Sequence, residues 1–103
     1  MRRVAGLLLP LILLAGCGQD NPHEGMNAKF ERLDYQISAR ETIAAPSDPS
    51  IARLTREYAA LVGRYASQLG PAEAKRRLTQ EGDEVAQYCL ACAATLYDAA
   101  KKY

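Results

Sequence analysis

The chain of 103 residues contains no tryptophan, one phenylalanine and one histidine. His23 lies in a polar stretch rich in helix-breaking residues, so a Ser-His-Asp set in a folded domain would lack its base. One histidine and the two cysteines of the later CxxC sequence, Cys89 and Cys92, do not supply the four ligands of a structural zinc site. The scarcity of these residue types predicts a protein that is not an enzyme and that uses no metal and no cofactor.

Long apolar runs and an excess of one charge are also lacking. The chain has 13 basic and 12 acidic residues, and this balance argues against a nucleic-acid partner. Residues 4–14 form an apolar run that is shorter than the roughly 20 residues needed to span a bilayer. No stretch shows the alternation of a β-strand, so the composition and periodicity predict an all-α protein.

The first residues have the organisation of a secretory signal peptide. Arg2 and Arg3 precede the apolar run of residues 4–14, and the small residues Ala15 and Gly16 follow it. A basic start, a short apolar segment and small residues before a cleavage point are typical of such peptides. We therefore expect residues 1–16 to be a signal peptide that is removed.

The end of this segment, Leu14-Ala15-Gly16-Cys17, resembles the lipobox of bacterial lipoproteins. The resemblance implies cleavage between Gly16 and Cys17, and attachment of diacylglycerol and a fatty acid to Cys17. It implies a membrane partner through this N-terminal lipid and a location in the cell envelope. Because Gly18 rather than Asp follows the cysteine, the outer membrane facing the periplasm is favoured in a Gram-negative host.

Residues 17–25 contain Gly, Asn, Pro and charged residues and predict a flexible tether behind the lipidated cysteine. Residues 26–103 carry apolar stripes at helical spacing and form the predicted domain. Asp48 and Pro49 predict a helix start, and Gly70 with Pro71 predicts a helix end and a new start. The expected fold is a small three-helix bundle, or four helices if Gly82 breaks the third segment.

Cys89 and Cys92 form the one CxxC sequence, and we expect both on the apolar stripe in the middle of the third helical segment. Four interpretations remain open: buried thiols, a local disulfide, pairing with another chain, and a catalytic or metal role. The i,i+3 spacing places two Cα atoms about 5–5.5 Å apart, within the range of a disulfide. The carboxylates follow helix faces with basic neighbours and are expected to be solvated.

The leading functional hypothesis is a non-enzymatic lipoprotein that binds another envelope protein. In size and layout the chain resembles secretion pilotins and conjugation entry-exclusion lipoproteins, which implies an assembly or exclusion role. A second hypothesis is a structural envelope lipoprotein similar to the murein lipoprotein, although this chain ends in Tyr103 rather than Lys and contains several prolines. A third is a redox accessory that uses Cys89 and Cys92.

Overall fold

The computed structural model describes residues 25–103, and within this range all regular structure is helical. The helices are α1 (Met26–Ile43), α2 (Pro49–Arg64), the single turn α3 (Ala66–Leu69), α4 (Pro71–Ala86) and α5 (Leu90–Ala100). The predicted all-α helical bundle is confirmed.

The break before α2 and the break between α3 and α4 follow the local chemistry that the sequence predicted. Asp48 is the N-cap of α2, where its side chain accepts a hydrogen bond from the Ser50 backbone N–H at 2.8 Å, and Pro49 occupies the first turn. Gly70 adopts φ +84° before Pro71 opens α4. A positive φ is unfavourable for residues with a Cβ atom, so glycine suits the turn between α3 and α4.

The core is arranged around α2, which contacts α1, α4 and α5. The buried side chains recur at spacings of three and four along each long helix, which explains why the chain closes as a bundle. The fully or almost fully buried apolar residues include Phe30, Leu33 and Ile37 on α1, Ile51, Leu54, Tyr58, Leu61 and Val62 on α2, Ala74, Leu78 and Val85 on α4, and Cys92, Ala93, Leu96 and Ala100 on α5.

The third segment divides into two helices, as the four-helix alternative required, but the position expected for the break was wrong. Helix α4 continues through Gly82, and the chain turns at residues 87–89. A Cβ atom at Gly82 would lie only 2.7 Å from Cε1 of Tyr97. Gly82 therefore serves the close packing of α4 against α5, where the Tyr97 hydroxyl also donates to Asp83 Oδ1 at 2.6 Å.

The expectation that the CxxC sequence lies in the middle of a helix was also wrong. Cys89 is the extended N-cap of α5, with φ −141° and ψ 98°, and its sulfur accepts a hydrogen bond from the Cys92 backbone N–H. The turn at residues 87–89 folds α5 back against α4, and this pair of helices makes the most extensive contact in the described domain. The CxxC sequence thus begins a helix at the corner of a helical hairpin.

Replacing Gly82 with Ala should destabilise the protein by roughly 1–3 kcal/mol, because the added methyl group displaces the Tyr97 ring and its hydrogen bond to Asp83. Gly63→Ala is the matched control, since Gly63 is also inside a helix and its added Cβ would meet only Tyr103 Oη, at 3.8 Å. That control should be neutral or stabilising by up to about 1 kcal/mol through helix propensity. Urea unfolding measures both changes, and equal effects of the two substitutions would contradict the packing role of Gly82.

Candidate functional site

A groove of about 440 Å³ separates α1 from α4 and is the candidate site of the described domain. Phe30 of α1 and Tyr58 of α2 line the groove, and their rings meet edge-to-face with centroids 5.4 Å apart. Both residues are almost fully buried. The remaining lining residues are polar or charged: Asn27, Glu31, Asp34, Arg76, Arg77, Gln80, Glu81 and Glu84.

The basic end of the groove is held by an ion-pair network. Glu73 accepts hydrogen bonds from Arg76 at 2.6 and 2.8 Å and from Arg77 Nε at 2.8 Å. These two cations lower the pKa of Glu73 to about 2. Arg77 also donates to Asn27 Oδ1 at 3.3 Å and places its guanidinium 4.7 Å from the centroid of the Phe30 ring. Arg77 therefore links α4 to α1 at this end.

The other end of the groove is acidic. Asp34 of α1 and Glu81 and Glu84 of α4 bring carboxylate oxygens within 4.8 Å of one another. Glu81 is only 5% exposed, and its side chain shares a hydrogen bond with Asp34 across the groove. Asp34 and Glu81 thus form a second link between α1 and α4, and we call Asp34, Glu81 and Glu84 the carboxyl cluster.

Burial raises the pKa of Glu81 from its ordinary value of 4.5 to about 9. The hydrogen bond with Asp34 and the negative charges of Asp34, Glu84 and Glu41 act in the same direction. Desolvation disfavours a carboxylate, and so do neighbouring carboxylates. These causes favour the protonated carboxylic acid form of Glu81 at neutral pH.

The expectation of solvated carboxylates was wrong for Glu81. Glu81 follows Leu78 by three residues and precedes Val85 by four, so it lies on the buried stripe of α4. This spacing is visible in the sequence and indicates that Glu81 is buried. The partnership with Asp34 has no comparable local signal, because 47 positions separate the two residues and only the tertiary fold brings them together.

A hard cation is the metal type that the carboxyl cluster would suit, because all three ligands are oxygen donors. Among residues 25–103, the carboxyl cluster is the group of acidic, histidine or cysteine side chains that lie close enough together to ligate one ion. A metal would have to replace the proton on Glu81, so its affinity would depend on pH.

The structure joins Cys89 to Cys92 by a disulfide, with the two Cα atoms 5.3 Å apart. The cysteines are buried, at 9% and 5% exposure respectively. Their burial restricts access to the sulfurs. The disulfide closes the corner between α4 and α5.

Gly16 and Cys17, the predicted cleavage and lipidation residues, lie outside the described residues, as does His23. None of the described helices combines the length and apolar character required to cross a membrane. No protein-family model matches the chain, and comparisons with curated proteins and with solved structures found no significant match.

The raised pKa of Glu81 predicts how the stability of the folded protein depends on pH. The folded pKa of about 9 exceeds the ordinary value of 4.5, so the folded state retains a proton that the unfolded state loses between these values. The contribution of Glu81 to stability is therefore fully present below pH 4.5 and is lost as the pH rises toward 9, by up to about 1.4 kcal/mol per pH unit.

Glu81→Gln should remove most of this dependence and should stabilise the protein relative to the wild type at pH 8. Glu31→Gln, an exposed substitution on the α1 side of the same groove, is the matched control and should leave the slope unchanged. Urea unfolding from pH 5 to pH 9 measures the slopes. Identical slopes for the wild type and Glu81→Gln would show that Glu81 is ionised in the folded protein.

Proposed function

We propose that this chain is a bacterial envelope lipoprotein, anchored by acyl chains on Cys17, whose helical domain binds another envelope protein without catalysing a reaction. The observation that carries the proposal is the sequence Leu14-Ala15-Gly16-Cys17 at the end of a short apolar run with a basic start. Two or three acyl chains give strong anchoring, because each buried methylene contributes about 0.8 kcal/mol. Gly18 after the cysteine favours the outer membrane in a Gram-negative host.

The groove between α1 and α4 supports the protein-binding part of this proposal. It combines a cavity of about 440 Å³ with an aromatic floor and charged walls. Its walls are held by ion pairs and by a buried carboxyl hydrogen bond, so its shape is largely formed before a partner arrives. A preorganised surface loses less conformational entropy on binding. An assembly role similar to that of pilotins or an exclusion role fits such a tethered binding domain.

The fold gives less support to the hypothesis of a structural envelope lipoprotein. Pro49 and Pro71 each open a new helix, and the chain folds back on itself rather than extending as a single rod. One observation supports the hypothesis of a redox accessory, namely the position of the CxxC sequence at the start of α5. The burial of Cys89 and Cys92 supports a packing role instead, so protein binding remains the preferred proposal.

Substitution of Cys17 tests the anchor. Metabolic labelling with an alkyne fatty acid should mark the wild-type protein, and intact-mass analysis should show a mature chain that begins at an acylated Cys17. Cys17→Ala should lose the label and accumulate as the unprocessed precursor, because the acceptor thiol is gone. The matched control is a Cys89→Ala, Cys92→Ala protein, which should label normally. Processing and membrane retention of Cys17→Ala at wild-type levels would refute the proposed anchor.

A further inference from the structure

One end of the helical bundle lies next to the predicted tether. Helix α1 begins directly after Gly25, and Lys29 Nζ lies 5.7 Å from the centroid of the Tyr65 ring, just after α2. Beyond α5, the Tyr103 hydroxyl lies 3.8 Å from the place that a Cβ atom of Gly63 would take. The ion-pair network that links α4 to the start of α1 lies at this end as well. The start of α1, the end of α2, the start of α4 and the residues after α5 therefore share the end that carries the tether.

The charged residues of the described chain are divided unequally between this end and the opposite one. We call residues 25–33, 58–78 and 97–103 the tether half, and residues 34–57 and 79–96 the far half. The tether half contains eight basic residues but only three acidic ones. The basic residues are Arg76 and Arg77 of the ion-pair network together with Lys29, Arg32, Arg64, Lys75, Lys101 and Lys102.

The far half has the opposite balance, with three basic and seven acidic residues. Its basic residues are Arg40, Arg53 and Arg56, and its acidic residues are the carboxyl cluster together with Glu41, Asp48, Glu57 and Asp83. Arg40 Nε donates to Ser50 Oγ at 3.1 Å, which joins the end of α1 to the start of α2 in this half. The balanced composition of the chain therefore hides a separation of charge along the bundle.

The predicted tether determines which half is held near a membrane. The nine residues 17–25 span at most about 30 Å when fully extended, and a flexible chain of this length has an end-to-end distance of roughly 17 Å. Helix α1 has 18 residues, so its other end lies about 27 Å from Gly25. An acylated Cys17 would therefore keep the basic tether half closer to the lipid than the acidic far half.

We propose that the tether half docks on the anionic phospholipid headgroups of the leaflet that holds the anchor. This inference rests on the lipid anchor of the proposed function and specifies how the domain is oriented. Each Lys or Arg close to an anionic membrane surface strengthens binding about fivefold, and Arg64, Lys75, Lys101 and Lys102 are exposed at this end. Because the anchor makes the contact intramolecular, a modest attraction is enough to populate it.

Two further features favour this orientation. Tyr65 and Tyr103 are partly exposed in the tether half, and a tyrosine ring with an apolar body and a polar tip suits the interface of a membrane. The acidic residues of the far half are repelled by an anionic surface. Docking would turn the carboxyl cluster, and with it the acidic end of the groove, away from the bilayer and toward the aqueous side.

Fluorescence quenching on vesicles tests the orientation of the acylated, full-length mature protein. The chain contains no tryptophan, so Ser67→Trp on α3 in the tether half provides a single reporter. Ser47→Trp, before α2 in the far half, is the matched reporter, and both serines are exposed. The vesicles contain phosphatidylcholine with or without about one third phosphatidylglycerol, and a trace of lipid with a nitroxide on its headgroup acts as the quencher.

Quenching of Ser67→Trp should be at least twofold stronger on the phosphatidylglycerol vesicles than on phosphatidylcholine alone. About 0.5 M NaCl should abolish this difference, because salt screens exposed charges. Ser47→Trp should be quenched weakly on both kinds of vesicle. Equal quenching of Ser67→Trp on the two vesicles, or stronger quenching of Ser47→Trp than of Ser67→Trp, would overturn the proposal.

Two paired charge variants separate orientation from net charge. In the Ser67→Trp protein, Lys101→Gln with Lys102→Gln should reduce the phosphatidylglycerol-dependent quenching at least twofold. Arg53→Gln with Arg56→Gln removes the same charge from exposed positions of the far half and should not reduce it. Equal losses in the two proteins would contradict an oriented contact, and circular dichroism checks that both remain folded.

The intact mass of the protein reports the anchor separately. An unacylated Cys17 would refute the anchor and this inference with it. An acylated protein whose quenching does not respond to phosphatidylglycerol would refute the docking alone, so the two failures are distinguishable.

Discussion

The acidic side of the groove depends on Glu81, a carboxyl group that is 5% exposed and shares a hydrogen bond with Asp34. Helix α1 packs chiefly on α2, and across the groove it meets α4 through two polar links. One link is made by Arg77, which reaches Asn27 and Phe30. The other is the hydrogen bond between Asp34 and Glu81, which would become a repulsion between two carboxylates if both side chains ionised. A hydrogen bond between two carboxyl groups therefore requires a proton on one of them.

The same constraint connects stability to function. A buried ionisable group without a compensating partner costs stability, and this cost is tolerated more readily where the group serves binding. In the proposed function, the lipid on Cys17 and the tether of residues 17–25 would keep the groove close to the membrane.

Much of the fold follows from local sequence signals, since the apolar stripes, the Asp48-Pro49 cap and the Gly70-Pro71 break each have a local physical cause. The break in the third segment could not be located from the sequence, because a glycine can either interrupt a helix or allow another side chain to pack closely against it. Gly82 was interpreted as a weak point, whereas it makes room for the Tyr97 ring. The carboxyl cluster was missed for a different reason. The position of Glu81 on an apolar stripe is visible in the sequence, but its neighbours across the groove depend on tertiary packing.

The central claim is that Glu81 is a carboxylic acid at neutral pH, and carbon-13 NMR of the glutamate carboxyl groups tests it most directly. The full chain would be labelled at glutamate Cδ, and the Glu81 signal would be assigned by its absence from the Glu81→Gln spectrum. The account predicts that this signal has the chemical shift of a protonated carboxyl at pH 7 and titrates with a midpoint of about 9. A midpoint close to the ordinary value of 4.5 would contradict the protonation of Glu81 at neutral pH.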